Sequence, residues 1–169
     1  LKSKGELAEL FLRKGLDISS QLESGQNSAQ YALLPYLPKQ QKLLLVHNTF
    51  SESADIEEIE THFSLAYWCT CPKANWYIEQ RLPNYDLWRE KNLKITIGTD
   101  SLASNDSLSV LEEIKMIQKN FPHIPTNELL IWACKNGAEF FNYDELGSFK
   151  AGSKPGVVLI EHVDGLQLT

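Results

Sequence analysis

The residues with the most chemical capacity stand where two apolar runs end. The β-branched run Ile95, Thr96, Ile97 stops at Gly98 and is followed at once by Asp100 and the small polar stretch SLASN. A second run, Leu43 to Val46, ends in His47. Imidazole and carboxylate both ligate zinc, and both move protons. In a strand-helix barrel, catalytic groups sit at the C-terminal ends of strands. Two such ends suggest an active site or part of one. On these two residues alone a plainer reading is also open, in which His47 closes a strand and Asp100 forms an Asx turn.

The other reactive residues point less clearly. Cys69 and Cys71 have C-x-C spacing, and alternation along a strand turns them the same way. No second Cys or His pair lies at zinc-finger distance, so a structural zinc site is not expected there. Cys134 falls on an apolar helix face and reads as packing. His62, His123 and His162 occupy helix-end, proline-flanked and tail contexts, which suit surface or packing roles. Trp68, Trp76, Tyr77 and Trp88 cluster around the middle strand, either as a ring-stacking pocket or as aromatic core. GSFKAGSKPG, 147–156, has glycines but no strand-to-helix context, so it is not a phosphate loop.

The elements that must position these groups alternate. Leu7, Leu10 and Phe11 predict an amphipathic helix over 6–14, and 28–37 a second helix near Pro35 and Pro38. Strands are expected at 43–47, 65–71, 94–99 and 157–161, with a further one at 166–169. Asp55 and Glu58 suggest a capping box before Ile56, Ile59 and Phe63. Residues 72–84 read as irregular and 85–92 as a short helix. Ser109 and Glu112 cap a helix that buries Leu108, Leu111 and Ile114. Pro125 and Thr126 open another, with Leu129, Leu130 and Ala133. Strands separated by helices favour a parallel sheet with crossover helices, an α/β class. Three such strands are too few to close a barrel.

Composition excludes several functions. The chain has 169 residues, 43% hydrophobic and 22% charged, which suits one globular domain or a piece of a larger one. A net charge of −6 argues against a nucleic-acid surface. No apolar run is long enough to span a bilayer. Three cysteines make no disulfide framework and suit a reduced, cytoplasmic protein. Leu1 opens the chain within what reads as a helix under way, so a longer protein is expected.

Four ordered segments resemble one family, the metal-dependent amidohydrolases of the chlorohydrolase and nucleobase-deaminase branch, aminofutalosine deaminases included. LLLVHNTF resembles the sixth barrel strand, CPKAN the segment after the seventh, and ITIGTDSLASNDSLSVLEEIK the eighth strand and helix. WACKNGAEFF with LGSFKAGSKPGVVLIE is similar to the closing helix and the return to a small β-domain. The resemblance spans about 42–165. It implies the C-terminal portion of a (β/α)8 TIM-like barrel, about strands 6 to 8, over 1–145, and one or two strands of the β-domain over 146–169.

The resemblance also implies roles. Asp100 would bind the metal and take a proton from the attacking water, and His47 would hydrogen-bond that water or the developing oxyanion. The metal would be zinc or iron, and the substrate a small amino-substituted heterocycle such as a purine nucleoside. Two departures stand out. KPGVVLI lacks the acidic residue usual before its strand. The H-x-H pair and the fifth-strand histidine with its glutamate are not recognisable, and Glu6 is a poor match for that glutamate. The 169-residue chain alone is therefore expected to be inactive, not to retain the metal, and to self-associate as a homo-oligomer. Hydrolytic dechlorination and a non-catalytic α/β binding module are the alternative functions.

Overall fold

The computed structural model describes residues 6–16, 33–161, 163–164 and 167–168. These group into two compact units, one drawn from Leu1–Lys42 and Glu52–Leu65, the other from Leu43–Ser51 and Ala66–Thr169.

The first unit holds α1 (Glu6–Arg13) and α2 (Ser53–His62). Asp55 sits one turn into α2, where its Oδ2 accepts the Glu52 backbone N–H at 2.9 Å, so it caps from inside the helix. Ile56, Ile59 and Phe63 form the buried stripe that their spacing predicts. Of the helix expected over 28–37, residues 28–32 lie outside the described residues. Residues 33–37 form a turn, closed by Leu37 N–H donating to Leu33 C=O at 2.9 Å.

The second unit carries the sheet. Strands β1 (Lys42–Val46, from Leu43 onward in this unit), β2 (Leu65–Thr70, from Ala66 onward) and β3 (Lys94–Ile97) lie in the order β1-β2-β3. β2 and β3 are parallel, with Tyr67 opposite Lys94 and Thr70 opposite Ile97. The pairing runs past the strand ends. His47 N–H donates to Cys69 C=O, and Gly98 N–H to Thr70 C=O, both at 2.9 Å. Residues 66–70 are buried throughout, as a central parallel strand covered on both faces requires.

Three helices hold this sheet. α3 (Pro72–Glu79) corrects the irregular segment expected at 72–84. Pro72 occupies its first turn, where a missing N–H costs nothing, so the proline starts the helix rather than breaking it. α4 (Tyr85–Glu90) follows, capped by Asn84 Oδ1 accepting Leu87 N–H at 3.1 Å. α5 (Val110–Asn120) is capped by Ser109 as expected. Its buried face is Glu113, Ile114, Ile117 and Gln118, while Leu108 is exposed.

The core is aromatic. Trp68 and Trp88 are fully buried with ring centres 5.6 Å apart, and Tyr85 meets Trp88 edge-on at 5.7 Å. The Tyr85 hydroxyl shares a buried 2.7 Å hydrogen bond with Thr70 Oγ1, and burial holds its pKa well above the ordinary value.

A last helix, α6, runs from 126 to 141 with a π-helical stretch at Ile131–Lys135. Within it, Asn136 Nδ2 donates to Ile95 C=O at 2.6 Å and ties the helix to the outer side of β3. Gly147 then packs back on α6. Its φ is +75°, and a Cβ there would lie 2.9 Å from Cys134 O and Ala138 Cβ, so only glycine fits.

Residues 157–161 are not a strand. Val157, Val158 and Leu159 are more than 80% exposed, because among the described residues no neighbouring strand offers them a ladder. Val163–Asp164 (β4) and Gln167–Leu168 (β5) instead pair antiparallel with one another. No helix among the described residues is long and apolar enough to cross a membrane.

Candidate active site

His47 and Asp100 come together at the C-terminal edge of the sheet. Each follows its strand by a short step, and the two strands flank β2. His47 Nε2 lies 3.8 Å from Asp100 Oδ2, with about a third of each side chain exposed. Both residues take left-handed backbone angles, φ +70° and +57°, and so does Asn48 at +49°. Such conformations cost energy in residues with a Cβ and persist where the surroundings impose them, commonly at functional sites.

Each group is oriented by a partner. His47 Nδ1 is 2.6 Å from Asn75 Oδ1, on the buried side of α3. An amide oxygen accepts only, so this contact puts the proton on Nδ1 and leaves the Nε2 lone pair toward Asp100. Asp100 Oδ1 accepts the Ser101 N–H and Oδ2 accepts the Ser104 hydroxyl, each at 2.8 Å. Imidazole nitrogen and carboxylate oxygen thus converge as two acceptors. A water molecule between them could donate to both, which is the starting arrangement for removing a proton from a nucleophilic water.

Beneath this edge lies a buried carboxylate. Glu113, on α5, is inaccessible to solvent. Its Oε2 accepts the Lys73 backbone N–H at 2.8 Å and its Oε1 accepts Asn105 Nδ2 at 2.6 Å. Burial raises its pKa above the ordinary 4.5, against those two hydrogen bonds and the Lys73 charge, with Asp106 adding to the rise. The folded carboxyl holds its proton more tightly than the unfolded one. Its ionisation therefore withdraws stability as pH rises from about 4.5 through the folded pKa. Glu113→Gln has no such titration. Urea unfolding across a pH series should show wild-type stability falling relative to this variant between acid and neutral pH. A difference independent of pH would contradict the assignment.

Cys69 and Cys71 face one another below Gly98 as free thiols. Cys71 is pushed well above the usual thiol range by its hydrogen bond to Cys69 and by burial. A Cβ on Gly98 would meet Cys69 Sγ at 3.2 Å and Cys71 Sγ at 3.4 Å. Overpacking this confined spot with Gly98→Val should cost about 1–3 kcal/mol in thermal or urea unfolding. A variant as stable as wild type would show that the thiols yield freely.

The remaining sequence candidates separate. Cys134 is exposed on α6 rather than packed. His123 is a surface residue, with Nε2 2.6 Å from Asp86 Oδ1, and His62 packs its ring against Phe63. His162 and the side chain of Glu6 lie outside the described residues. Of the four aromatics, Trp68 and Trp88 are core. Trp76 and Tyr77 instead line a cavity of about 440 Å³ with Leu102, Ser104 and Met116.

Asn75, Ser104, Asn105 and Glu113 supply the hydrogen bonds around this edge, and residue types alone did not single them out. A signal for Glu113 existed, because it shares the buried stripe of Ile114 and Ile117. Metal chemistry at this edge fits Asp100 as one ligand. Among the described residues no third His, Cys, Asp or Glu joins the pair, whereas a catalytic zinc usually takes three protein ligands.

The chain belongs to the amidohydrolase family, whose sequence pattern matches residues 18–167. It is 28% identical over 127 residues to 5-methylthioadenosine/S-adenosylhomocysteine deaminase of Dictyoglomus thermophilum, covering 70% of this chain and 29% of that protein. It is 29% identical over 99 residues to adenosine deaminase of Helicobacter pylori, covering 57% of this chain and 24% of that protein. The chain thus spans less than a third of the length of these relatives. Among solved structures it resembles Helicobacter pylori aminofutalosine deaminase in complex with methylthio-coformycin, with a TM-score of 0.68, 25% identity, 83% of this chain and 34% of that one. A zinc-bound adenosine deaminase of Xanthomonas campestris shares the fold, with a TM-score of 0.61 and 20% identity over 88% of this chain and 33% of that one. The three-stranded sheet and its helices resemble part of those amidohydrolase barrels.

Proposed function

We propose that this chain forms part of the active site of a metal-dependent hydrolase that cleaves a C–N bond outside peptides, removing the amino group of a purine nucleoside or a similar heterocycle. The carrying observation is the convergence of His47 Nε2 and Asp100 Oδ2, 3.8 Å apart, at the strand ends. Deaminase relatives support the same reading.

In this proposal Asp100 would hold the metal and would take a proton from the attacking water. His47, fixed by Asn75, would hydrogen-bond that water through its Nε2 lone pair or, as an imidazolium, the oxyanion that develops on the ring. The chemistry supplied by zinc or iron would be a lowered pKa for the attacking water, toward neutrality. Residues 1–145 belong to the barrel and 146–169 begin the small β-domain. Among the described residues one histidine and one carboxylate are fewer than the three protein ligands a catalytic zinc usually takes, so the 169-residue chain alone is expected to be inactive and to bind metal weakly.

The test incubates the complete metal-loaded protein with 5′-methylthioadenosine, adenosine and a chloro-substituted triazine, following ammonia and chloride. Ammonia from an aminopurine supports the proposal. Chloride release alone assigns a dechlorinating hydrolase, and neither product from any substrate leaves a binding module.

A further inference from the structure

We infer that Glu113 is a positioning residue that holds the His47 wall and the Asp100 wall of the site in register. This assignment rests on the deaminase reading of that site.

The two walls come from segments far apart in sequence. His47 is oriented by Asn75 in the first turn of α3, and Asp100 lies in the loop after β3. Glu113 reaches both from α5. One oxygen accepts the N–H of Lys73, two residues before Asn75, at 2.8 Å. The other accepts Asn105 Nδ2 at 2.6 Å, and the same amide nitrogen donates to Thr99 C=O at 2.7 Å, one residue before Asp100. Asn105 Oδ1 in turn accepts the Ser107 N–H at 3.2 Å, which fixes its orientation.

The brace needs a carboxylate. Both partners are N–H donors, and only an ionised carboxyl offers an acceptor oxygen to each. Glutamine would turn its NH2 toward one of them. A carboxylate is also suited to the first turn of a helix, where backbone N–H groups point outward. An apolar residue would suit the stripe of Ile114 and Ile117 better for burial alone. Glu113 touches neither the proposed nucleophile position nor its metal, so its influence passes through Asn75 and Thr99.

The test compares Glu113→Gln and Glu112→Gln with wild type in the complete metal-loaded protein. Glu112 is the neighbouring carboxylate, paired with Lys115 on the surface of α5. The readouts are kcat and KM for the aminopurine that wild type turns over, and the ¹⁵N shifts of the His47 imidazole. Glu113→Gln should lower kcat about tenfold, because small misplacements of reacting groups are costly. KM should stay within about twofold, and the His47 shifts should move. Glu112→Gln should change neither. Lower thermal stability in Glu113→Gln, with kcat per folded molecule and His47 shifts unchanged, would overturn the inference.

If Glu113→Gln does not fold, Asn105→Ser cuts the same brace from the other side and is read identically. If wild type deaminates nothing, the reading of the site fails. The His47 shifts still decide whether Glu113 sets the geometry.

Discussion

Asp100→Asn in the complete protein is expected to lower kcat by about three orders of magnitude, the range for removing a general base at a metal-assisted site, with the fold intact. The structure explains the separation. The asparagine oxygen still accepts the Ser101 N–H that Asp100 Oδ1 now takes at 2.8 Å. The Ser104 hydroxyl, which donates to Oδ2, can rotate and accept from the new NH2 instead. The exchange should therefore cost no more than about 1 kcal/mol of stability. The substitution removes the negative charge that the proposed metal and proton transfer both require. Steady-state kinetics beside urea unfolding measure the two effects separately. Wild-type turnover in Asp100→Asn would remove the carboxylate from the chemistry.

Trp88→Ala carries the largest expected loss of stability, about 3–5 kcal/mol for a buried aromatic truncated to alanine. Trp88 is fully buried, between Trp68 and Tyr85. Phenylalanine provides the informative contrast. Among the described residues the buried indole N–H of Trp88 has no hydrogen-bond partner, so Trp88→Phe removes an unsatisfied donor and retains most of the ring contact. Urea midpoints should place Trp88→Phe much closer to wild type than to Trp88→Ala. Equal losses in both variants would mean that ring packing does not hold this core together.

The two strand ends of the site were legible in the sequence. The β-branched run before Gly98 and the apolar run before His47 announce strands, and strand ends are where chemistry is sought in such folds. The parallel order followed from helices between strands. The helix at 72–79 was hidden because Pro72 and Asn75 look like breakers, whereas a proline in the first turn and an asparagine bonded to a distant imidazole are both compatible with a helix. The expected strand at 157–161 failed for the opposite reason. Val157, Val158 and Leu159 have strand-like side chains, but a strand needs a neighbour to pair with. The partners of the site were illegible because they act over distance in sequence. Asn75 serves a histidine 28 residues earlier, and Glu113 serves a backbone N–H 40 residues away.

The most direct test is a crystal structure of the complete protein with a coformycin-type inhibitor, with anomalous scattering recorded at the zinc and iron edges. The account predicts a metal about 2.0–2.2 Å from an Asp100 carboxylate oxygen and His47 Nε2 hydrogen-bonded to the inhibitor hydroxyl. An inhibitor seated elsewhere, or a metal beyond reach of Asp100, would contradict it.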